Sequence, residues 1–265
     1  MDHNNLKNKE LLSIEKDEFF HGVSIACLII GFKNKSLQIL LNKFDGYHKW
    51  MIPGGFVFQN ESIDDAALRT LKMRTGLDNL YLRQFKAFGD CKRASKKELE
   101  GILRVLGVTY SSDHWIFQRL ISIGYYAFVD MSQMKLPLLF GEAAQWFRLD
   151  NIPDLFGDDN RIINDAIVSI RQDIDAIPLD YELLPHKFTM PELQSLYEAI
   201  LGRTFDRRNF ERKMLAKGYI DQLDESNSKM GGRAIRLFSF NKAKYKEQEH
   251  RFYLPVSVTD RSYSI

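Results

Sequence analysis

The stretch GGFVFQNESIDDAALRTLKMRTGL, Gly54 to Leu77, decides how the first half of this chain is read. Gly54 and Gly55 open it where a turn is needed, and Gly76 closes it, so a helix is bracketed by glycine signals. Inside the bracket Ile63, Ala67, Leu68 and Leu71 are assigned to a core face. Asp64 and Asp65 fall in the first turn, where carboxylates suit the positive end of the helix dipole. The second half of the helix carries Thr70, Met73 and Arg74, and no carboxylate at all.

The surrounding chain sets the bounds. At 265 residues, 45% hydrophobic and 27% charged, it has the composition of a soluble globular protein of one large or two ordinary domains. A net charge of +2 names no partner, so a nucleic-acid reading must rest on where the charges lie. Two cysteines, Cys27 and Cys91, are too few for a disulfide scaffold, and residues 1–20 lack the apolar run of a signal peptide. The expectation is a cytoplasmic protein. Val23 to Phe32, the most apolar run, is too short to span a bilayer.

From Gly22 to about Leu149 the sequence reads as a mixed sheet with a few helices. VSIACLIIGF, SLQILLN, LISIGYYAFV and AQWFRL are short runs rich in β-branched and aromatic residues, separated by turn signals. After Pro153, the segment DDNRIINDAIVSIRQDI places Ile162, Ile163, Ala166, Ile167 and Ile170 on one helical face. The fold class expected is α+β, with a first domain over 1–175, including a connector helix at about 158–175, and a second over 176–265.

The opening stretch resembles the Nudix box, G-x5-E-x7-R-E-U-x-E-E-x-G-U, where U is aliphatic. Gly55, Glu61, Arg69, Leu71, Gly76 and Leu77 stand at the motif's positions, and WMIPGG looks like the strand that approaches it. In the active family, glutamates on the box helix hold divalent cations against a pyrophosphate, because hard cations need several converging oxygen ligands. Thr70, Met73 and Arg74 stand where those glutamates belong, and Arg74 brings a positive charge to the cation's place. The resemblance also implies that Arg69 pairs with an acidic side chain to brace the box helix, and it implies the fold without the metal or the hydrolysis, a frame reused for binding.

The second half points to what that binding controls. Thr189, Pro191 and Glu192 form a capping-box helix start, followed by Leu193, Leu196, Tyr197 and Ile200 at helical spacing and by Gly202 as the stop. Asp206 is the expected N-cap of a second helix, RRNFERKMLAK, which Gly218 ends. Two short helices about a glycine-containing turn are a helix-turn-helix. On the second, Phe210, Met214 and Leu215 mark the inward side, and Asn209, Arg212 and Ala216, flanked by Arg208 and Lys213, the outward one. From Leu201 to Lys217 there are six basic residues, among them Arg203 and Arg207, against two acidic ones. Arginine and asparagine read guanine and adenine edges, and lysine binds phosphate. A solvated basic face is the other reading of the same charges. YIDQLDESNSKMGGRAIRLFSF then reads as a hairpin, the wing of a winged helix, with Lys229, Arg233 and Arg236 on or beside it.

Over about Gly22 to Phe240 the chain resembles the Nudix-related transcriptional regulators, in which a degenerate Nudix domain is fused to a C-terminal winged helix. That resemblance implies a homodimer on palindromic operator DNA, with an effector that is a pentose such as arabinose or xylose, or a nucleotide sugar such as ADP-ribose, and with no cofactor or metal. The effector site is expected at Trp50, Phe58, Glu61, Arg69 and Arg74, with Asp90 and Arg119 from neighbouring strands. A pyrophosphohydrolase with residual activity and a protein-binding adaptor are the competing classes. Two segments fall outside the family pattern. SKKELEGILRVLG, opened by Ser95 and Glu98 in capping-box spacing, reads as an inserted helix, and RFYLPVSV near the C-terminus as a strand without assigned function.

Overall fold

The structure is a computed structural model that describes residues 19–77, 80–132, 134, 142–174, 182–227, 235–241 and 243–244. The chain divides into two compact units, Met1–Gln172 and Asp173–Ile265.

In the first unit a mixed sheet is built on β1 (Phe19–Lys33). Its neighbours are β2 (Ser36–Phe44), β3 (Gly54–Phe58), β4 (Leu82–Phe88), β5 (Ile121–Phe128) and β6 (Glu142–Arg148). The order is β4-β5-β1-β2-β6, with β3 also paired to β1. The β1–β5 pair is parallel, with Ser24 beside Ser122 and Cys27 beside Tyr125, and the other pairs are antiparallel. A parallel pair requires a long crossover, and the intervening chain supplies it. Cys27, Leu28, Ile29 and Ile30 are all fully buried, which is why this strand reads as an unbroken apolar run rather than an alternation. The strand expected at WMIPGG instead starts at the glycine pair, while Trp50 and Met51 make only isolated bridges to Leu155 and Asn42.

Helix α1 (Ile63–Thr75) is the bracketed helix. Ser62 caps it by accepting the Asp65 N–H at 3.1 Å, and Gly76 ends it in the left-handed conformation at φ 70°, donating its N–H to Lys72. Its buried face is Ala66, Ala67, Thr70, Leu71 and Thr75. The small alanines let the helix lie close on Ile25, Cys27, Ile29 and Leu40 of the sheet. The core assignment of Ile63 and Leu68 is thereby corrected: both are exposed, Ile63 at the helix's first turn and Leu68 one residue past the alanine face.

The insertion forms α2 (Lys96–Val105), capped by the expected Ser95–Glu98 box, and a short turn of helix at Trp115–Phe117. Leu103, Trp115 and Ile116 pack with Phe19, so the insertion has an apolar core of its own. Helix α3 (Asp159–Gln172) buries Ile162, Ile163, Ala166, Ile167 and Ile170, the face that the spacing predicted.

In the second unit α4 (Met190–Leu201) carries the capping box at Thr189 and Glu192 and ends at Gly202 at φ 67°, as the sequence predicted. Leu193, Leu196, Tyr197 and Ile200 are its buried face. Helix α5 (Arg207–Ala216) follows, capped by Asp206. β7 (Ile220–Asn227) and β8 (Ile235–Phe240) form the antiparallel hairpin, joined by Phe188, which bridges to Phe238. The hairpin tip, with Lys229 and Arg233, and the segment RFYLPVSV lie outside the described residues.

Candidate functional site

A cavity of about 410 Å³ opens in the first unit, where residues 24–26 of β1 and the end of β2 meet the glycine turn, Arg74 of α1 and the insertion. Ser24 and Ser122 line it, their hydroxyls bonded to each other across the parallel ladder. Leu99, Ile102 and Phe117 bring an apolar wall from the insertion, with Arg93 and Lys96 beside them.

Of the residues expected to bind an effector, Arg74, Asp90 and Arg119 line this cavity, and Trp50, Phe58, Glu61 and Arg69 do not. Trp50 packs edge-on against Phe147 at 4.9 Å, with the Lys43 ammonium 4.9 Å from its ring. Phe58 stacks on Phe19 at 5.0 Å. Glu61 and Arg69 pair with each other: Arg69 donates through Nε to Oε2 at 3.0 Å and through Nη2 to Oε1 at 2.6 Å. Nη2 also donates to the Phe56 carbonyl at 2.8 Å, and the guanidinium lies 4.3 Å over the Phe58 ring. Burial pushes the Glu61 carboxyl up, but the Arg69 and Phe58 N–H bonds outweigh it and hold the carboxyl below its ordinary range. This pair is the brace expected of Arg69, tying the helix to the turn before it. Asp90 faces Arg161 at 3.7 Å, and Arg119 donates to the Gly89 carbonyl at 2.5 Å.

The three positions of the missing glutamates have definite occupants. Thr70 is buried against Gly55, where a Cβ would come within 2.7 Å of Thr70 Oγ1, so the glycine is needed for the helix to sit this close. Met73 Sδ meets Arg69 Nη1 at 4.0 Å. Arg74 forms a salt bridge with Glu142 of β6, whose side chain is 3% exposed. Asn42 of β2 donates to the same carboxylate through Nδ2 at 3.0 Å. Threonine, a thioether and a guanidinium are no ligand set for a hard divalent cation, and the carboxylate that Arg74 meets, Glu142, is already paired. The residues present do not fit the Nudix metal. Among the described residues no group of three His, Cys, Asp or Glu side chains could hold one elsewhere.

The insertion is clamped to the segment before α3. Glu98 accepts from Lys49 Nζ at 3.2 Å and from the Gly157 N–H at 3.4 Å, and Arg93 pairs with Asp158 at 2.7 Å. Asp159, buried at the head of α3 and lining the cavity, accepts the Ile52 N–H at 2.8 Å. Burial pushes its carboxyl up to about 7, against the opposing pull of the Ile52 N–H and of Arg93, 3.8 Å away. Asn42, Arg93, Glu142 and Asp159 escaped the sequence reading. Each acts through a contact remote in sequence, 100 residues for Asn42 and Glu142, and no local motif marks such pairs.

In the second unit α5 turns Phe210 and Met214 inward and leaves Arg207, Arg208, Asn209, Arg212 and Lys213 exposed. Arg212 donates to Asn209 Oδ1 at 3.1 Å, which keeps the two side chains together on the outer face. Arg203 lies in the turn, its guanidinium 5.1 Å from the Phe205 ring. Arg236 of β8 donates to Glu211 at 2.7 Å and ties the hairpin to the helix. The turn is held by Glu198, which accepts the Phe205 N–H at 2.9 Å, a contact the glycine pattern did not announce.

A mixed β-sheet with a box helix, followed by a helix-turn-helix and a hairpin, defines the class. Residues 20–166 match the NUDIX domain and residues 180–240 the NrtR DNA-binding winged helix domain. The chain belongs to the NUDIX domain family, with an NrtR-type winged helix domain after it. It is similar to the ADPR responsive transcriptional repressor NtrR of Acinetobacter baylyi, 26% identical over 225 residues that cover 82% of this chain and 81% of that protein. Its fold is that of the crystal structure of Shewanella oneidensis NrtR complexed with a 27mer DNA, at TM-score 0.63 and 19% identity over 84% of this chain and 95% of that one. A MutT/nudix family protein from Enterococcus faecalis shares it too, at TM-score 0.60 and 19% identity over 83% and 88%.

Proposed function

We propose that this chain is a transcriptional regulator that grips operator DNA through α5 and binds an effector, without hydrolysing it, in the cavity of its first unit. The match of residues 180–240 to a DNA-binding winged helix domain carries the reading. The exposed face of Arg207, Arg208, Asn209, Arg212 and Lys213 supports α5 as the reading helix, since these side chains suit base edges and phosphates. Arg203 contributes from the turn, and Lys229 and Arg233 from the wing. Residues 1–175 are the effector-binding part and 176–265 the DNA-binding part, and a homodimer places two such helices on a two-fold operator.

The effector we propose is an ADP-ribose-like nucleotide sugar rather than a free pentose. The Acinetobacter baylyi relative is described as ADPR responsive. The cavity lining agrees in chemistry, because Lys96 and Arg119 bring positive charge suited to phosphates beside an apolar wall suited to a base. Absence of hydrolysis follows from the donor set at positions 70, 73 and 74.

Fluorescence anisotropy of labelled duplexes from the gene's own upstream region, with and without ADP-ribose, arabinose and xylose, tests both halves. Sequence-specific binding altered by ADP-ribose alone is expected. Arg208→Ala and Arg212→Ala should each weaken specific binding about tenfold or more with the melting temperature unchanged. Unaltered binding in both variants would remove α5 as the reader. Turnover of ADP-ribose in Mg²⁺ would overturn the non-hydrolytic half.

A further inference from the structure

We propose that Arg74 is a built-in substitute for the divalent cation of the Nudix site, held by Glu142, so that a salt bridge closes the site to metal. The inference rests on the place of Arg74 in the box and on its contacts, and is independent of which effector binds.

Arg74 stands where the box has its last glutamate, so the change replaces a negative charge by a positive one at a point the family uses to hold a cation. The structure gives the new charge a specific counterpart. Glu142 comes from β6, on the far edge of the sheet order, and its carboxylate is 3% exposed. Both its oxygens face Arg74, with Nη2 3.5 Å from Oε1, and Oε2 also accepts from Asn42. A buried carboxylate needs a counter-charge, and among the described residues the guanidinium of Arg74 is the one that meets it. An ion pair of this kind does for Glu142 what a bound cation does for the carboxylates of a metal site.

The neighbourhood also shows what removal of Arg74 would leave. Asn42 Oδ1 is buried without a hydrogen-bond partner. Nδ2 is the atom that meets Glu142 in the wild type, and with the amide turned over Oδ1 joins the carboxylate in offering oxygen donors, the chemistry that Mn²⁺ and Mg²⁺ accept, with water completing the shell. Arg74→Gln deletes the positive charge, leaves a polar side chain two atoms shorter, with room for an ion beside Glu142, and adds one carbonyl oxygen.

The test is rescue by Mn²⁺ alone, read as melting temperature of the full chain. The wild type should show no shift. Arg74→Gln should melt lower than the wild type without metal and rise by about 3–6 °C at Mn²⁺ tenfold above its dissociation constant. Arg74→Gln/Glu142→Gln should lose the rescue, because the carboxylate is gone. If Arg74→Gln is recovered unfolded, refolding from urea with and without Mn²⁺ reads the same point: recovery only with Mn²⁺ supports the proposal, and recovery in neither overturns it. A folded Arg74→Gln indifferent to Mn²⁺, a wild type stabilised equally, or rescue that persists in the double variant would each overturn it as well.

Discussion

Arg69→Met removes the guanidinium that ties α1 to the turn before it and keeps most of the apolar stem. In the wild type that guanidinium makes two hydrogen bonds to Glu61 at 3.0 and 2.6 Å and one to the Phe56 carbonyl at 2.8 Å. It also lies 4.3 Å over the Phe58 ring. A hydrogen bond to a charged group contributes about 1.5–3 kcal/mol, and a cation–π contact about 0.5–1 kcal/mol at an exposed site. The side chains are 28% and 14% exposed, so water screens part of the attraction. Discounted for that screening and for the shared geometry of the two Glu61 bonds, the expected destabilisation is about 2–4 kcal/mol. The pH dependence follows from Glu61, whose carboxyl lies below its ordinary value of 4.5 in the folded chain. A depressed carboxyl contributes stability that is present above 4.5 and is lost as pH falls through the folded-state value. The gap between wild type and variant should therefore be full at neutral pH and shrink in acid. Urea unfolding of wild type, Arg69→Met, Glu61→Gln and the double variant, at neutral and acidic pH, gives the coupling energy directly. A coupling below about 0.5 kcal/mol at neutral pH, or one that does not shrink in acid, would refute the brace.

Two further predictions concern the cavity and its frame. The Asp159 carboxyl is raised from 3.8 to about 7 in the fold, so its stabilising protonated form is lost as pH rises through that window. At 1.36 kcal/mol per pH unit the loss is on the order of 4 kcal/mol. Asp159→Asn, which still accepts the Ile52 N–H, should flatten this slope, and a wild-type-minus-variant stability constant from pH 5 to pH 8 would contradict it. Gly55→Ala drives a Cβ to within 2.7 Å of Thr70 Oγ1 and should destabilise by about 1–3 kcal/mol. Thr70→Ala in the same chain should return most of that loss, and equal melting temperatures of Gly55→Ala and the double variant would dismiss the contact.

Some of this protein is written in local sequence. Ser62, Gly76, Ser95, Thr189, Gly202 and Asp206 sit at the helix ends that their side chains or backbone freedom dictate, because caps are made within four residues. The buried faces of α3 and α4 follow from a period of 3.6, and the exposed basic side of α5 from the same count. The box itself is legible because Glu61 and Arg69 meet across one turn and one helix.

What the tertiary structure alone decided is which of these side chains meet across the fold. Ile63 and Leu68 are exposed because Ala66 and Ala67 set how closely α1 lies on the sheet. Glu61 and Arg69 are spent on each other, whereas Arg74 lies on the cavity and against Glu142. Asn42, Glu142 and Asp159 carry no sequence signature. Their roles arise where strands and a helix distant in the chain converge, and burial there gives a single charge or amide a weight that it lacks in water.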